Sequence, residues 1–201
     1  MLSYDESLKI LKDTNALLEG HFVLSSGLHS KQYVQCAKLL SKPKEAQFIC
    51  SSLAQKILKT FNKIDLILSP AIGGIVVGYE IGRQLGVESV FAERVNKKLL
   101  LRRDFLIKPN AKVLIVEDVI TTGKSALECS ELVNLNNASL LGYACIIDRT
   151  HDKSQIKNNI ISQIKLDIKT YDEKDIPNDL KKIKAIKPGS RDLIKWERDW
   201  A

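Results

Sequence analysis

The chain has 201 residues, with 31 Lys or Arg against 24 Asp or Glu and a formal net charge of +7. This length suits one α/β domain with a modest appendage, and a hydrophobic content of 44% argues against a disordered or fibrous protein. No apolar run approaches the roughly 20 residues of a membrane helix, and the first residues lack the apolar segment of a leader, so we expect a cytoplasmic protein with no membrane partner.

The first sixty residues predict two helices separated by a turn-rich segment. Residues 7–18 have helical spacing and are followed by Gly20. Residues 21–40 include Ser25-Ser26-Gly27, which by composition is a turn. Pro43 then begins a second helix, which we expect to extend to about Phe61.

Strand and helix patterns alternate after residue 63. Apolar runs predict five strands, at 64–68, 87–91, 112–116, 141–147 and 164–168, and helical periodicity covers 74–85 and 124–135. This alternation predicts an α/β fold with a five-stranded, mostly parallel sheet flanked by helices. We expect a single domain, with an N-terminal helix and small hood at 1–42, the core sheet at 43–170 and a C-terminal tail at 171–201.

One predicted strand ends in two carboxylates and leads into a small turn that begins a helix. After Val113-Leu-Ile-Val come Glu117 and Asp118, and then Val119-Ile120-Thr121-Thr122-Gly123-Lys124-Ser125. Backbone N–H groups at a helix start favour a phosphate, whereas the two acids repel one. The segment therefore predicts a ligand with both chemistries, such as a ribose 5-phosphate with its hydroxyls or an associated Mg²⁺ at the carboxylates.

Two other interpretations of this segment remain. Gly123-Lys124-Ser125 matches the end of a nucleotide-binding P-loop, but Asp118 stands where that motif needs a glycine. The other interpretation is an ordinary strand, a surface acidic pair and a helix capped by a hydroxyl side chain.

Polar residues also follow the other predicted strands. Ser69 to Gly74 is a glycine-containing turn that begins a helix, Arg149 follows the strand at 141–147, and residues 94–103 carry five cations. Because ligands bind at the carboxyl ends of the strands in open α/β sheets, these loops predict one site. The basic segment, expected as a mobile loop, could neutralise a leaving pyrophosphate, although a solvated hairpin or a nucleic-acid patch has the same composition.

The segment 113–125 resembles the phosphoribosyl pyrophosphate (PRPP) signature of type I phosphoribosyltransferases, with two hydrophobic residues, two acids and a TTG turn. The N-terminal segment resembles the base-binding hood of the orotate phosphoribosyltransferase family, in which Phe22, Leu24, Ser26, Gly27 and Ser30 match an F-x-L-x-S-G-x-x-S pattern. Matches extend through Ser69-Pro-Ala-Ile-Gly-Gly, Phe91-Ala-Glu-Arg, Leu101-Arg-Arg and Asp148-Arg149 to Lys187-Pro-Gly-Ser-Arg191.

The resemblance implies a type I phosphoribosyltransferase fold, the substrates orotate and PRPP, Mg²⁺, and a homodimer with shared active sites. It assigns PRPP to Glu117, Asp118, Val119, Ile120, Thr121, Thr122, Gly123, Lys124 and Ser125. It assigns orotate to Thr121, Arg149, Ser26 and Gly27, and catalysis to Arg94, Lys97, Lys98, Arg102 and Asp118. Mg²⁺ is expected to bind through PRPP near Glu117 and Asp118 and not through direct protein ligands.

The chain departs from the family pattern at several positions. Ser25 and Gly73 stand where many members have lysines, and no histidine lies between Arg94 and Lys108. Two alternatives stay open: a phosphoribosyltransferase for another base, and a non-catalytic PRPP sensor that regulates RNA or DNA. The first forty residues are too few for a winged-helix domain, so we expect no nucleic-acid partner.

Overall fold

The computed structural model of the protein describes residues 1–24, 26–150, 154–157 and 160–188. The chain forms two compact units. The first comprises Met1–Ala16 and Gln35–Asp167, and the second comprises Leu17–Val34 and the described residues of Ile168–Ala201. None of the described helices is both long and apolar enough to span a membrane.

In chain order the helices are α1 (Tyr4–Asp13), α2 (Cys36–Leu40), α3 (Pro43–Thr60), α4 (Gly73–Leu85), α5 (Lys124–Leu135) and α6 (Asn178–Lys181). The strands are β1 (Leu17–Val23), β2 (His29–Val34), β3 (Leu66–Pro70), β4 (Glu88–Val95), β5 (Lys98–Leu101), β6 (Lys112–Ile120), β7 (Ser139–Asp148), β8 (Ile160–Lys165) and β9 (Thr170–Tyr171). A single 3-10 turn covers Glu173–Asp175.

The first unit is built on a six-stranded sheet in the order β5-β4-β3-β6-β7-β8. All neighbours pair in parallel except β5, which pairs antiparallel with β4 at the edge. The mostly parallel α/β fold is therefore confirmed, with one strand more than the five that the sequence predicted. Strand β3 is buried at all five positions, as expected of a central strand with helices on both faces.

Helices α4 and α5 cover opposite faces of this sheet. Leu66 and Leu68 of β3 share a core cluster with Cys129 of α5. Ser69, the residue that follows Leu68, lies against α4, where a Cβ added to Gly78 would meet the Ser69 side chain. Because successive side chains of a strand point to opposite faces, each helix has its own face of the sheet.

The predicted helix at 7–18 is wrong in its second half. Helix α1 ends at Asp13, and Asn15 adopts a left-handed conformation with φ 57°. Leu17 and Leu18 then pair with β2 in an antiparallel ladder. Leucines at positions 8, 11, 17 and 18 imitate helical spacing, but the non-local pairing with β2 overrides this local pattern.

The basic segment expected as a loop instead extends β4, turns at Asn96-Lys97 and returns as β5. Both turn residues have positive φ, 47° and 69°, which suits a tight hairpin between right-twisted strands. Alternation explains β5, since Leu99 is buried while Lys98 and Leu100 are exposed. The last strand of the sheet lies at Ile160–Lys165 and not at 164–168, because its ladder begins opposite Tyr143 of β7.

The second unit contains a small antiparallel sheet in the order β1-β2-β9. His21 of β1 joins the C-terminal segment to this sheet, because its Nδ1 lies 2.9 Å from the Ile183 carbonyl oxygen. Its Nε2 lies 2.7 Å from His29 Nδ1 on β2. A carbonyl only accepts, so Nδ1 of His21 is the donor to the Ile183 carbonyl. Ile186 N also donates to the His21 carbonyl, and Ile186 bridges to Phe22.

Candidate active site

The sheet of the first unit opens into a crevice between β3 and β6. The ladder between these strands ends at Leu68 and Ile115, whereas β6 continues along β7 as far as the pair Ile120–Asp148. The chain leaves β3 towards β4 on one side and leaves β6 towards β7 on the other. This reversal is a topological switch point, the position at which open α/β sheets bind their ligands.

The acidic pair lies on β6 beyond the last bond to β3. Asp118 lies on the α4 side, because a Cβ added to Gly73 would come within 2.7 Å of its Oδ1. Glu117 lies on the α5 side, close to the Cys129 thiol of that helix. Burial raises the pKa of this thiol, and the nearby Glu117 charge raises it further. The two carboxylates therefore face the crevice from opposite faces of one strand. A side chain at position 73 would displace Asp118.

Both carboxyl groups are largely shielded from water, although each keeps some accessible surface. Burial, and then the neighbouring Asp118, raise the pKa of Glu117 to about 8. Burial also raises the pKa of Asp118, against hydrogen bonds from backbone N–H groups that lower it. Such carboxylates gain from a ligand that brings hydroxyl donors or a cation.

No cluster of three or more His, Cys, Asp or Glu suitable for a metal occurs among the described residues. A pair of carboxylates without further protein ligands still fits Mg²⁺, which keeps several waters and binds through one or two carboxylates together with substrate phosphates. Glu117 and Asp118 therefore suit an ion that arrives with a phosphorylated ligand.

The start of α5 lacks a side-chain cap. Its N-cap is Gly123, and no acid occupies its first turn. Helix α1 contrasts with it, since Ser3 and Glu6 close a capping box there. The Thr122 hydroxyl accepts from Lys124 N at the long distance of 3.4 Å. Because the N-cap residue itself supplies no acceptor, the backbone N–H groups at the start of α5 can bind an anion.

Gly123 is required at this turn for two reasons. Its φ of 79° is left-handed, and an added Cβ would come within 2.6 Å of Ile156 Cγ1. Thr121 and Thr122 are exposed beside it, and the Thr122 carbonyl oxygen accepts from Gln155 N at 3.2 Å. Gln155 and Ile156, which follow β7, thus contact the turn, while Thr121 and Thr122 stay exposed.

Arg149 lies directly beside the turn, because its backbone N–H donates to the Ile120 carbonyl at 2.9 Å. Its guanidinium is half-buried, and burial lowers its pKa. Among the described residues, its buried Nε has no hydrogen-bond partner. Asp148 accepts instead from the Thr150 N–H and hydroxyl, at 2.7 and 2.6 Å. The other acid considered for Arg149, Asp152, lies outside the described residues.

The remaining predicted site residues lie in two places. Arg94, Lys97, Lys98 and Arg102 lie on or just after the β4–β5 hairpin of the first unit, and all four are exposed. Ser26 and Gly27 lie between β1 and β2 in the second unit, where Gly27 N donates to the Leu24 carbonyl at 2.9 Å. Their roles, including orotate binding by Ser26 and Gly27, stay predictions.

Two acids that the sequence did not single out contact the hairpin cations. Glu93 lies 2.7 Å from Arg103 and 3.5 Å from Arg102, and Glu128 of α5 lies 2.8 Å from Arg94. The Glu93 pairs follow from strand pairing once β5 is known. Nothing in the sequence indicates the pairing of Glu128 with Arg94, because α5 meets the hairpin only in the folded chain.

Comparison with known proteins agrees with this geometry. Residues 38–176 match the phosphoribosyl transferase domain family. A curated orotate phosphoribosyltransferase of Chlorobium phaeobacteroides is 44% identical over 92% of this chain and 95% of its own length. That of Caldicellulosiruptor bescii is 43% identical over 94% of this chain and 99% of its own.

Solved structures show the same fold at lower identity. A crystal structure of orotate phosphoribosyltransferase from Aeropyrum pernix aligns with a TM-score of 0.68 at 23% identity, covering 79% of this chain and 92% of its own. Adenine phosphoribosyltransferase from Thermoanaerobacter pseudethanolicus aligns at 0.58 and 21%, covering 67% and 88%. The fold alone thus does not select the base, whereas the near-full-length sequence identity does: the chain belongs to the phosphoribosyltransferase family and, within it, to the orotate phosphoribosyltransferases.

Proposed function

We propose that the protein transfers the 5-phosphoribosyl group of PRPP to orotate, giving orotidine 5'-phosphate and pyrophosphate in the synthesis of UMP. The observation that carries this proposal is the position of Arg149. Its half-buried guanidinium, with one N–H unpaired among the described residues, adjoins a turn suited to a ribose phosphate. A carboxylate-bearing base is the partner that such a guanidinium lacks.

The phosphoribosyl half of the site is assigned to residues Glu117 to Ser125. The open N–H groups at the start of α5 receive the 5-phosphate, and Gly123 lets it approach the backbone. Glu117 and Asp118 accept hydrogen bonds from the ribose hydroxyls. Mg²⁺ carried by PRPP would neutralise pyrophosphate charge, and Glu117 and Asp118 would hold it through its water ligands.

The orotate half is assigned to Arg149 and Thr121. The family resemblance also assigns orotate binding to Ser26 and Gly27. Arg149 offers two parallel N–H groups to the orotate carboxylate, which is the group that distinguishes orotate from uracil. Thr121 is exposed next to Arg149 and can hydrogen-bond the ring. The substrate carboxylate would then satisfy the buried Nε.

Charge develops on pyrophosphate as its bond to the sugar breaks ahead of bond formation by the base. The hairpin cations Arg94, Lys97, Lys98 and Arg102 supply positive charge for this leaving group. Asp118 supports the positive charge that arises on the ribose ring. Orotate can react through an anionic ring nitrogen, so this account requires no general base.

We also propose a homodimer in which the hairpin of one subunit serves the site of the other. In a mixing experiment, chains carrying Lys97→Ala and Lys98→Ala are combined with chains carrying Asp118→Ala. If the sites are shared, part of the activity returns, because each mixed dimer then has one site in which Asp118 and both lysines are intact. Absence of any rescue in a mixture shown to exchange subunits would count against sharing.

The test of the proposed function is release of pyrophosphate in a base panel. With PRPP and Mg²⁺, orotate should support turnover, whereas uracil and adenine should not. Turnover with adenine or uracil but not orotate would replace the proposal by the other-base alternative. PRPP binding without turnover of any base would favour the sensor. We propose a cytoplasmic location, which suits the four unpaired cysteines of the described chain.

A further inference from the structure

The ion pairs divide the five hairpin cations into two groups. Arg102 and Arg103 pair with Glu93, and Arg103 also lies 5.7 Å above the Phe91 ring. Arg94 pairs with Glu128. In the part of the chain that the structure describes, Lys97 and Lys98 belong to no ion pair, and both are exposed at the tip of the hairpin. Of the five hairpin cations, these two lysines are therefore the ones that no described acid neutralises.

Arg94 joins the hairpin tip to α5. Its Nη1 donates to the Lys97 carbonyl at 2.7 Å and lies 2.8 Å from Glu128 Oε2. Glu128 lies one helical turn beyond Lys124, the first residue of α5. The guanidinium therefore holds the backbone that carries the free lysines against α5 and limits the positions that the hairpin tip can take.

The Glu128 carboxylate depends on this contact. Its Oε2 is buried and accepts no hydrogen bond from the described residues, so the charge of Arg94 is its main compensation. When Arg94 is lost, the buried Glu128 Oε2 has no cation beside it among the described residues, and the carboxylate gains by turning towards water. When Glu128 is lost, the Arg94 guanidinium no longer has this acid to hold it at α5. Loss of either side chain should thus release the hairpin tip from α5 in the same way.

We propose that Glu128 is a positioning residue: through Arg94 it holds the β4–β5 hairpin against α5, so that Lys97 and Lys98, and not Arg94, meet the pyrophosphate of PRPP. This inference rests on the proposed function for the identity of the ligand. It narrows the cations proposed to contact the pyrophosphate from four to two. It also gives a role to Glu128, an acid that no sequence motif indicates.

The experiment compares Glu128→Gln, Arg94→Ala and the double variant, with Glu131→Gln as the matched control. Glu131 is exposed on the same helix. We expect each single variant to lower kcat/KM for PRPP by about tenfold and to leave the KM for orotate within about twofold. The kcat/KM of the double variant should be no lower than that of the less active single variant, because both changes remove the same contact. The control should match the wild type.

The opposite assignment gives opposite results. If Arg94 itself binds pyrophosphate, Glu128→Gln frees it, and PRPP then binds as tightly as in the wild type or more tightly, which would overturn the proposal. A lower unfolding midpoint with unchanged kcat/KM per folded molecule would also overturn it, since Glu128 would then be merely structural.

A second measurement decides the question even if Glu128→Gln does not fold. Titration of PRPP with Mg²⁺ at several salt concentrations needs no base, so it stays informative if the orotate assignment fails. The Lys97→Ala, Lys98→Ala pair should flatten the salt dependence of the PRPP Kd, and adding Arg94→Ala to this pair should flatten it no further, because Arg94 itself does not contact the pyrophosphate. A flattened slope for Arg94→Ala with an unchanged slope for the lysine pair would refute the proposal.

Discussion

Replacing Asp118 with asparagine is expected to lower kcat/KM for PRPP by about a hundredfold while leaving the fold at least as stable. The activity falls because a charged acceptor at the ribose is lost, and a hydrogen bond to a charged group contributes roughly 1.5–3 kcal/mol. The fold is spared because Asp118 lies at a ligand crevice where its charge has little solvent. Activity and stability should therefore separate.

The pKa of Asp118 determines at which pH the asparagine variant should be more stable than the wild type. Burial raises the pKa of Asp118, so the folded state favours the neutral form, and stability falls as pH rises through the folded pKa. Asparagine removes this penalty, so its advantage in urea unfolding should appear at pH 7 and disappear in acid below the ordinary carboxyl range. The pKa of Glu117, raised to about 8 partly by Asp118, should fall in the variant. Equal losses of activity and stability would return the acidic pair to a structural role.

Replacing Arg149 with methionine is expected to lower kcat/KM for orotate by about a hundredfold to a thousandfold. A hydrogen bond to a charged group contributes roughly 1.5–3 kcal/mol, and here two such bonds join a guanidinium to a carboxylate. Stability should not fall, because burial already disfavours the charge and Nε has no partner among the described residues. Steady-state kinetics and urea unfolding measure the two effects.

Arg149→Lys is the matched variant. It keeps the positive charge but loses the two parallel N–H donors, so its activity should lie between those of methionine and arginine. PRPP binding, measured by titration without a base, should be unchanged in both variants. If orotate turnover survives in Arg149→Met, or if PRPP binding falls with it, Arg149 does not select the base.

The sequence predicted the centre of the fold better than its edges. Strand β3 and the first half of β6 are continuous apolar runs because both faces are buried, and such runs are visible in the sequence. Strands β1 and β5 depend on partners elsewhere in the chain. The local sequence around Leu17 and Leu18 favours a helix, but these residues pair with β2 as a strand. The local sequence of Lys98 to Leu101 favours a loop, but these residues pair with β4 as a strand.

The same division holds at the site. The sequence predicts Glu117, Asp118 and the turn up to Ser125 as candidates from local chemistry, because two acids and a glycine-containing helix start are neighbours in the chain. It could not predict the contact of Glu128 with Arg94, since the two residues come from different elements. The opposite orientations of Glu117 and Asp118 also required the structure, because they depend on which helix covers each face of the sheet.

The most direct test of the central claim is to identify the product formed when the wild-type protein is incubated with orotate, PRPP and Mg²⁺. Mass spectrometry should detect orotidine 5'-phosphate in amounts equal to the pyrophosphate released. Pyrophosphate release that does not depend on orotate, or a ribosylated product formed only from another base, would contradict the claim.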